Sequence, residues 1–108
     1  MIQTDIQELA DNQSTPAEAI ESLRTRIDEI DDEVIRLLAR RFEATHEVGV
    51  LKAQAGFAAL DASREERQRT RLTALAHDVH LDEDIARGYL EFVVAESKKR
   101  HKRLSGEK

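Results

Sequence analysis

The feature that most constrains this sequence is a stripe of residues that repeats at heptad spacing from Ile20 to Leu51, called here the seam. Its steps alternate between three and four residues, a pattern typical of one long helix with a continuous apolar face. A charged group on such a face costs free energy unless it is paired. Arg41 therefore either binds an anionic partner, fixes the packing register, or extends its guanidinium to the edge. The seam consists of Ile20, Leu23, Ile27, Ile30, Val34, Leu37, Arg41, Ala44, Val48 and Leu51.

A threonine–proline pair marks the start of this helix. Thr15 suits the N-cap, Pro16 suits the first helical position, and Glu18 has the spacing of a capping box. We expect the helix to run from Pro16 to about Gln54, roughly 55–60 Å at 1.5 Å per residue. The rest of the chain is too short to cover the seam, and an uncovered seam is a large exposed apolar patch. A second copy of the helix is the obvious cover, so the sequence predicts a homodimer.

Two shorter helices follow a break at residues 55–60. Good N-cap residues mark both starts, and apolar residues at helical spacing follow each of them. The sequence therefore predicts an all-α fold, a three-helix protomer with one very long N-terminal helix. The second helix is expected to begin near Asp61 or Ser63 and to end near Asp78, and the third to begin after Asp82 and to end near Leu104.

The side chains of the shorter helices have distinct predicted environments. We expect the charged first half of the second helix to be solvated and to form i,i+4 pairs such as Glu65 with Arg69. Ser97 and His101 interrupt an apolar stripe on the third helix, where Leu90, Val94 and Leu104 complete the stripe. A neighbouring face of the third helix is expected to pack through Ile85, Tyr89, Phe92 and Val93.

Composition narrows the class of protein. Charged residues make up 36% of the chain and aromatic residues 4%, as in long amphipathic helices. The absence of cysteine excludes disulfides and thiolate metal sites and suits a cytoplasmic protein. Residues 1–14 lack the features of a signal peptide, and we interpret them as a mobile arm before one domain at 15–108. No apolar run is long enough to cross a membrane, and the net charge of −5 argues against nucleic-acid binding.

Two cations on the first helix indicate an anionic ligand. Lys52 follows Arg41 by eleven residues, so both lie on one stripe about 16 Å apart. Arg24 precedes Lys52 by 28 residues, a separation of roughly 42 Å along the same helix. No small ligand spans that distance within one chain. In an antiparallel dimer, however, Arg24 can reach the pocket of the partner.

Other possible sites have simpler explanations. His77 and His80 lack a third ligand in a recognisable zinc pattern, so we predict no metal site. Ser97 and His101 lack the orienting acid of a catalytic triad. The basic residues 98–103 are a possible nucleic-acid patch, but they also suit the C-terminus of a helix.

Four groups of residues resemble the all-α (AroQ-type) chorismate mutases. The resemblance runs without a gap from about Glu18 to His101 and includes the serine of the third helix, Ser97. The groups are Leu23-Arg24-x-x-Ile27-Asp28-x-Ile30-Asp31, Leu37-Leu38-Ala39-x-Arg41, Val48-Gly49-x-x-Lys52 and Asp61-x-x-Arg64-Glu65.

The resemblance implies an intertwined antiparallel homodimer with two equivalent sites. It implies the rearrangement of chorismate to prephenate, on the route to phenylalanine and tyrosine, without any cofactor. Such a site restrains the substrate and places donors on the ether oxygen, where negative charge grows as the bond breaks.

The resemblance also implies the role of each site residue. Arg24 enters from the other chain and binds one carboxylate, and Arg41 binds the second. Lys52 serves the ether oxygen and a carboxylate, and Glu65 accepts from the ring hydroxyl near Asp61. The resemblance also implies that Arg64 and Ser97 bind at the carboxylate end of the substrate. Val48 and Val94 are implied to form the apolar wall of the site.

Two positions depart from the family pattern. His101 stands where the family usually has Gln or Glu as the second donor to the ether oxygen, and Lys98 stands where an apolar wall residue is expected. A histidine donates more strongly when protonated, so we expect activity to decline as His101 loses its proton. One subclass of the family is activated by the DAHP synthase that opens the aromatic pathway, and Arg103-Leu104 is compatible with such a partner.

Two other functions remain open from the sequence. An isochorismate-pyruvate lyase has the same fold and a similar cationic pocket, although the set formed by Asp61, Arg64 and Glu65 favours the mutase. A helical dimerisation module without chemistry explains the seam, but leaves Arg41, Lys52 and the polar pair on the third helix without a role.

Overall fold

The computed structural model describes residues 15–58, 61–104 and 106. Every element of regular structure among them is an α-helix, which confirms the predicted all-α fold. The predicted arm at 1–14 lies outside the described residues, as do Ala59 and Leu60 of the predicted break. Contacts divide the chain into a first unit, Met1–Arg40, and a second unit, Arg41–Lys108. The helices are α1 (Pro16–Ala55), α2 (Ala62–Asp78) and α3 (Glu83–Leu104).

The capping residues predicted for α1 are confirmed. The amide of Glu18 donates to Thr15 Oγ1 at 3.1 Å, and the amide of Thr15 donates to Glu18 Oε1 at 3.4 Å. These reciprocal bonds satisfy amides that lack partners within the helix. Helix α2 is capped by Asp61 rather than Ser63, because Asp61 Oδ1 accepts from the amide of Arg64 at 3.0 Å.

The described part of the first unit is helical and keeps its apolar face exposed. The seam side chains Ile27 and Ile30 are each 54% exposed, and Leu37 is 55% exposed. In an ordinary core such side chains are buried, which contributes about 1.5–3 kcal/mol each. These described residues of the first unit therefore form an apolar stripe that is exposed to solvent.

The second unit contains the buried core of the described chain. Ala76 of α2 and Leu90 and Val93 of α3 are buried where these two helices pack together. The C-terminal half of α3 also contacts α1, where Arg100 lies 4.8 Å from the ring centroid of Phe42. The second unit thus assembles parts of all three helices.

Some predicted packing differs from the structure. Ile85, Tyr89 and Phe92 are 59%, 41% and 55% exposed, so of the four predicted residues of that face only Val93 is buried. The predicted pair of Glu65 with Arg69 is wrong. Arg69 instead pairs with Glu66 at 2.6 Å, and Glu65 pairs with Lys98 of α3.

Helices α1 and α2 end with the same backbone motif but with different residues. Gly56 has a φ of 72°, and the amide of Phe57 donates to the carbonyl of Lys52 at 2.8 Å. His80 has a φ of 60°, and the amide of Leu81 donates to the carbonyl five residues earlier at 2.8 Å. Both are Schellman ends, in which glycine adopts a positive φ without strain. His80 therefore carries conformational strain that Gly56 avoids.

We predict that His80→Gly raises the free energy of unfolding by about 0.5–1 kcal/mol, since a left-handed residue with a Cβ costs about 1–2 kcal/mol and the added chain entropy offsets part of the gain. Urea denaturation measures the change. The converse substitution Gly56→Ala should destabilise the protein, and an unchanged or lower stability of His80→Gly contradicts the assignment.

Candidate active site

The second unit contains a cavity of about 390 Å³ between side chains of all three helices. Every site residue predicted from the sequence lines it except Arg24. Val48 and Val94, the predicted apolar wall, also line it. The lining residues are Arg41, Ala44, Thr45, Val48, Lys52, Asp61, Arg64, Glu65, Gln68, Arg71, Leu72, Tyr89, Val94, Ser97, Lys98 and His101.

Helical spacing explains how each element contributes its side chains. On α1 the lining residues lie three to four positions apart, from Arg41 through Thr45 and Val48 to Lys52. The same spacing brings Ser97 and His101 of α3 to one face. Because Asp61 caps α2, the first turn of that helix begins at the cavity. One face of each of the three helices therefore borders the cavity.

Two donors in the cavity wall are buried without a hydrogen-bond partner. They are Nη1 of Arg41 and Oγ of Ser97. The guanidinium of Arg41 lies 6.0 Å from the ring centroid of Tyr89, which supplies a weak cation–π contact but no acceptor. An unsatisfied buried polar group costs about 1–3 kcal/mol, and more when it is charged. These two donors are therefore arranged for an acceptor that a ligand supplies.

The charges around the cavity favour an anion. Its lining contains five side chains of fixed positive charge and two carboxylates. Of the carboxylates, Asp61 accepts from the backbone of α2, and Glu65 is ion-paired. The cavity is therefore cationic within a protein of net charge −5. The five cations are Arg41, Lys52, Arg64, Arg71 and Lys98.

Lys98 forms an ion pair across the cavity wall. Its Nζ lies 2.9 Å from Oε1 of Glu65, and the two side chains are 41% and 23% exposed. In the family that the sequence resembles, an apolar wall residue usually stands at the position of Lys98. The same resemblance implied that the Glu65 carboxylate is available to accept from the ring hydroxyl of the substrate. The structure instead joins α2 to α3 here, so a ligand hydroxyl that approaches Glu65 meets a carboxylate that already has a cationic partner.

His101 is tied to the backbone of α1. Its Nε2 lies 2.9 Å from the carbonyl oxygen of Thr45. A carbonyl oxygen only accepts hydrogen bonds, so Nε2 carries the proton and donates it. The ring is partly buried. Of its two nitrogens, Nδ1 is the one left for a ligand.

Arg24 lies in the first unit and does not line the cavity. Its Nη1 pairs with Oε1 of Glu21, one turn earlier on the same helix, at 3.0 Å. Both side chains are largely exposed, so the pair contributes little to stability. The role of Arg24 in a site therefore stays a prediction.

Several cavity residues were not predicted from the sequence. Arg71 follows Arg64 by seven residues, and Gln68 lies between them on the same face of α2, so the spacing contained a signal for both. Tyr89 was expected to pack against a neighbouring helix, yet its ring faces Arg41. Nothing in the sequence of α3 alone distinguishes a tyrosine that packs from one that lines a cavity.

The family model of type II chorismate mutases matches residues 23–102 of this sequence. The chain belongs to this family. A Methanocaldococcus jannaschii protein named chorismate mutase is 28% identical to it over 81 residues, which cover 75% of this chain and 82% of that protein. The matched range contains every predicted site residue, including Arg24.

The described residues contain neither a candidate membrane span nor a candidate metal site. Their helices include none with the length and apolar character that a membrane span requires. Among the same residues, no three histidine, aspartate or glutamate side chains form a group that could hold a metal ion.

We predict that Ser97→Ala raises the free energy of unfolding of the ligand-free protein by a few tenths of a kcal/mol to about 1 kcal/mol. The substitution removes an unsatisfied buried hydroxyl and introduces a better helix former. Chemical denaturation measures the difference.

The matched control is Ser63→Ala. The Ser63 hydroxyl accepts from Arg67 Nη1 at 2.7 Å on an exposed surface. This control should leave stability unchanged or lower it slightly. A loss of stability in Ser97→Ala equal to that of the control argues against an unsatisfied Ser97.

Proposed function

We propose that this chain rearranges chorismate to prephenate by holding the substrate in a compact conformation and stabilising charge on its ether oxygen. Membership of the chorismate mutase family supports the reaction. The observation that carries the mechanism is the buried, unpaired Nη1 of Arg41 within a cationic cavity. Chorismate is a dicarboxylate, so it supplies the acceptors that the cavity wall lacks.

The reaction moves bonds within one molecule. The ether C–O bond breaks, a new C–C bond forms, and no atom enters or leaves. Because cleavage runs ahead of bond formation, negative charge grows on the ether oxygen. A cation or donor placed there is worth about 3–4 kcal/mol of the barrier, and holding the compact conformer removes a further entropic part.

We assign the parts of the substrate to cavity residues. Arg41 binds one carboxylate, and Ser97 and Arg64 bind at the carboxylate end. Lys52 donates to the ether oxygen and to a carboxylate, with His101 as the second donor. Glu65 accepts from the ring hydroxyl near Asp61, in exchange for part of its pairing with Lys98. The substrate thus supplies an acceptor for the buried Nη1 of Arg41 and Oγ of Ser97, which have none in the protein.

We further propose that two copies of the chain form an antiparallel homodimer. The exposed stripe of the first unit supports this, because seam residues such as Ile27 and Leu37 are more than half exposed in one chain. A second copy covers the stripe with the same residues, as a twofold interface requires. In that assembly Arg24 of one chain binds a carboxylate in the cavity of the other. Its weak local pair with Glu21 is easily exchanged.

The cellular setting stays a prediction. Synthesis of phenylalanine and tyrosine in the cytoplasm fits the reaction and the absence of cysteine. A complex with DAHP synthase is supported only by the exposed basic end of α3 at Arg103 and Leu104. Measuring turnover with and without that synthase tests it, and an unchanged rate removes this part of the proposal.

The deciding assay combines product identification with one substitution. Wild type incubated with chorismate should give prephenate, whereas salicylate and pyruvate from isochorismate would identify a lyase instead. Arg41→Ala should lower kcat/KM by about 10²–10³, as expected for loss of a charged contact to the substrate. Its helical content should persist, since the change removes an unpaired buried cation.

Arg40→Ala is the matched control for Arg41→Ala. Arg40 is the neighbouring arginine of α1, is exposed, and lies outside the cavity lining. It should retain wild-type turnover. If Arg41→Ala retained full turnover as well, the assignment of Arg41 would fail, and a dimerisation module would explain the seam better.

Mixed dimers test the origin of Arg24. Arg24→Ala and Arg41→Ala should each be nearly inactive alone. After subunit exchange in an equimolar mixture, half of the dimers contain both variants, and one of their two sites has both arginines. Activity should therefore recover to about a quarter of wild type. Absence of recovery, with exchange verified by mass spectrometry, contradicts a contribution of Arg24 across chains.

A further inference from the structure

We infer that Gly49 and the carbonyl of Thr45 hold His101 in one tautomer, so that its free nitrogen donates to a bound anion only when the ring is protonated. The contact itself is a property of the chain alone. Its consequence for catalysis rests on the proposed function. Gly49 is then a positioning residue, which acts on the substrate through His101.

The hydrogen bond fixes the position of one proton. Nε2 of His101 lies 2.9 Å from the carbonyl oxygen of Thr45, an ordinary length for an N–H···O bond. The oxygen has no proton to give, so Nε2 carries a hydrogen in both the neutral and the protonated ring. The neutral ring then has a lone pair on Nδ1, and the protonated ring has an N–H there.

Gly49 makes the approach of the ring possible. It is the only residue of α1 that is buried, and it follows Thr45 by one helical turn. A Cβ at this position would lie 2.6 Å from Cδ2 of His101, 3.1 Å from its Nε2 and 2.8 Å from Cδ1 of Leu104. Any side chain at position 49 therefore displaces the imidazole from the Thr45 carbonyl.

The fixed tautomer decides what His101 offers a ligand. Carboxylate and ether oxygens are acceptors, and a lone pair on Nδ1 repels them. Only the protonated ring presents a donor to them. The second donor at the ether oxygen is therefore available only in the imidazolium form of His101.

The fixed tautomer couples protonation to binding. Because Nδ1 donates only in the protonated ring, a neutral His101 must take up a proton before it can bond to an anion there. Thr45 and Gly49, which lie against the ring on α1, carry no side-chain charge. Binding of an anion at Nδ1 of the neutral ring should therefore draw one proton into the site. The charged groups that line the cavity with His101 are Arg41, Lys52, Asp61, Arg64, Glu65, Arg71 and Lys98.

The sign of the pH dependence follows directly. The donor is present at low pH, where the ring is protonated. It is lost at high pH, where the ring is neutral, so the affinity for an anion and kcat/KM both fall as pH rises. With a single essential proton, the decline approaches about tenfold per pH unit.

The first test is long-range ¹H–¹⁵N NMR of the ligand-free wild-type protein. At alkaline pH the His101 signals should show a proton on Nε2 and none on Nδ1. A proton on Nδ1, or an exchanging mixture, overturns the inference. This readout requires no turnover, so a correct tautomer in a protein that does not convert chorismate refutes the proposed function and leaves the tautomer assignment intact.

The second test is calorimetry with prephenate as the probe, in buffers that differ in ionisation enthalpy. At a pH at which the ring of the ligand-free protein is neutral, wild type should take up about one proton per site. His101→Gln should take up none, and its kcat/KM should not decline over the pH range in which wild type does. Equal proton uptake, or parallel pH profiles in both proteins, overturns the coupling.

Two glycine substitutions separate positioning from helix stability. Gly49→Ala should lose the Nε2 tautomer signature and the proton uptake, with kcat/KM at least tenfold lower. Gly88→Ala is the matched control, because Gly88 lies within α3 and a Cβ there meets nothing within 4 Å. It should keep the tautomer, the uptake and the turnover. Retention of all three in Gly49→Ala contradicts the role of Gly49.

Discussion

An unpaired cation within a helical seam is the constraint on which the rest of this structure depends. Arg41 occupies a position that heptad spacing assigns to an apolar side chain, and Nη1 is buried without a partner. The free energy lost there is recovered only when an acceptor enters. The cavity of the second unit has the same requirement at Ser97, whose hydroxyl is a second buried donor without an acceptor. The two lining carboxylates already have other partners, Asp61 in the helix cap and Glu65 in its ion pair. Stability and ligand binding are therefore opposed at the same residues, a trade-off common at active sites.

Local sequence signals predicted the helices well because those signals act over single turns. The capping box at Thr15 and the cap at Asp61 are determined by neighbours three residues away. The positive-φ residues Gly56 and His80 lie close to where the spacing stops being helical. The seam predicted the C-terminal end of α1 to within one residue. An apolar repeat of 3.5 residues is typical of a helix and of few other structures.

Contacts between helices were harder to predict. The partner of Glu65 was wrong because i,i+4 spacing describes one helix, and Lys98 approaches from another. The family resemblance suggested the cavity residues but not the bond from His101 to a backbone carbonyl, which no side-chain pattern encodes. Tyr89 has the apolar spacing of a packing residue, yet it lies beside a guanidinium. What sequence cannot supply here is the relative rotation of neighbouring helices.

The contrast between a cationic cavity and an acidic chain also affects how substrate arrives. At distances beyond a Debye length, about 8–10 Å at moderate ionic strength, a dianion meets mainly the net charge of −5 and is weakly repelled. Only near the opening do the lining cations dominate. Added salt weakens both the distant repulsion and the nearby attraction of the dianion. These two changes have opposite effects on its rate of association. Capture of substrate by this protein is thus governed by short-range recognition, without the long-range steering of enzymes whose whole surface attracts their ligand.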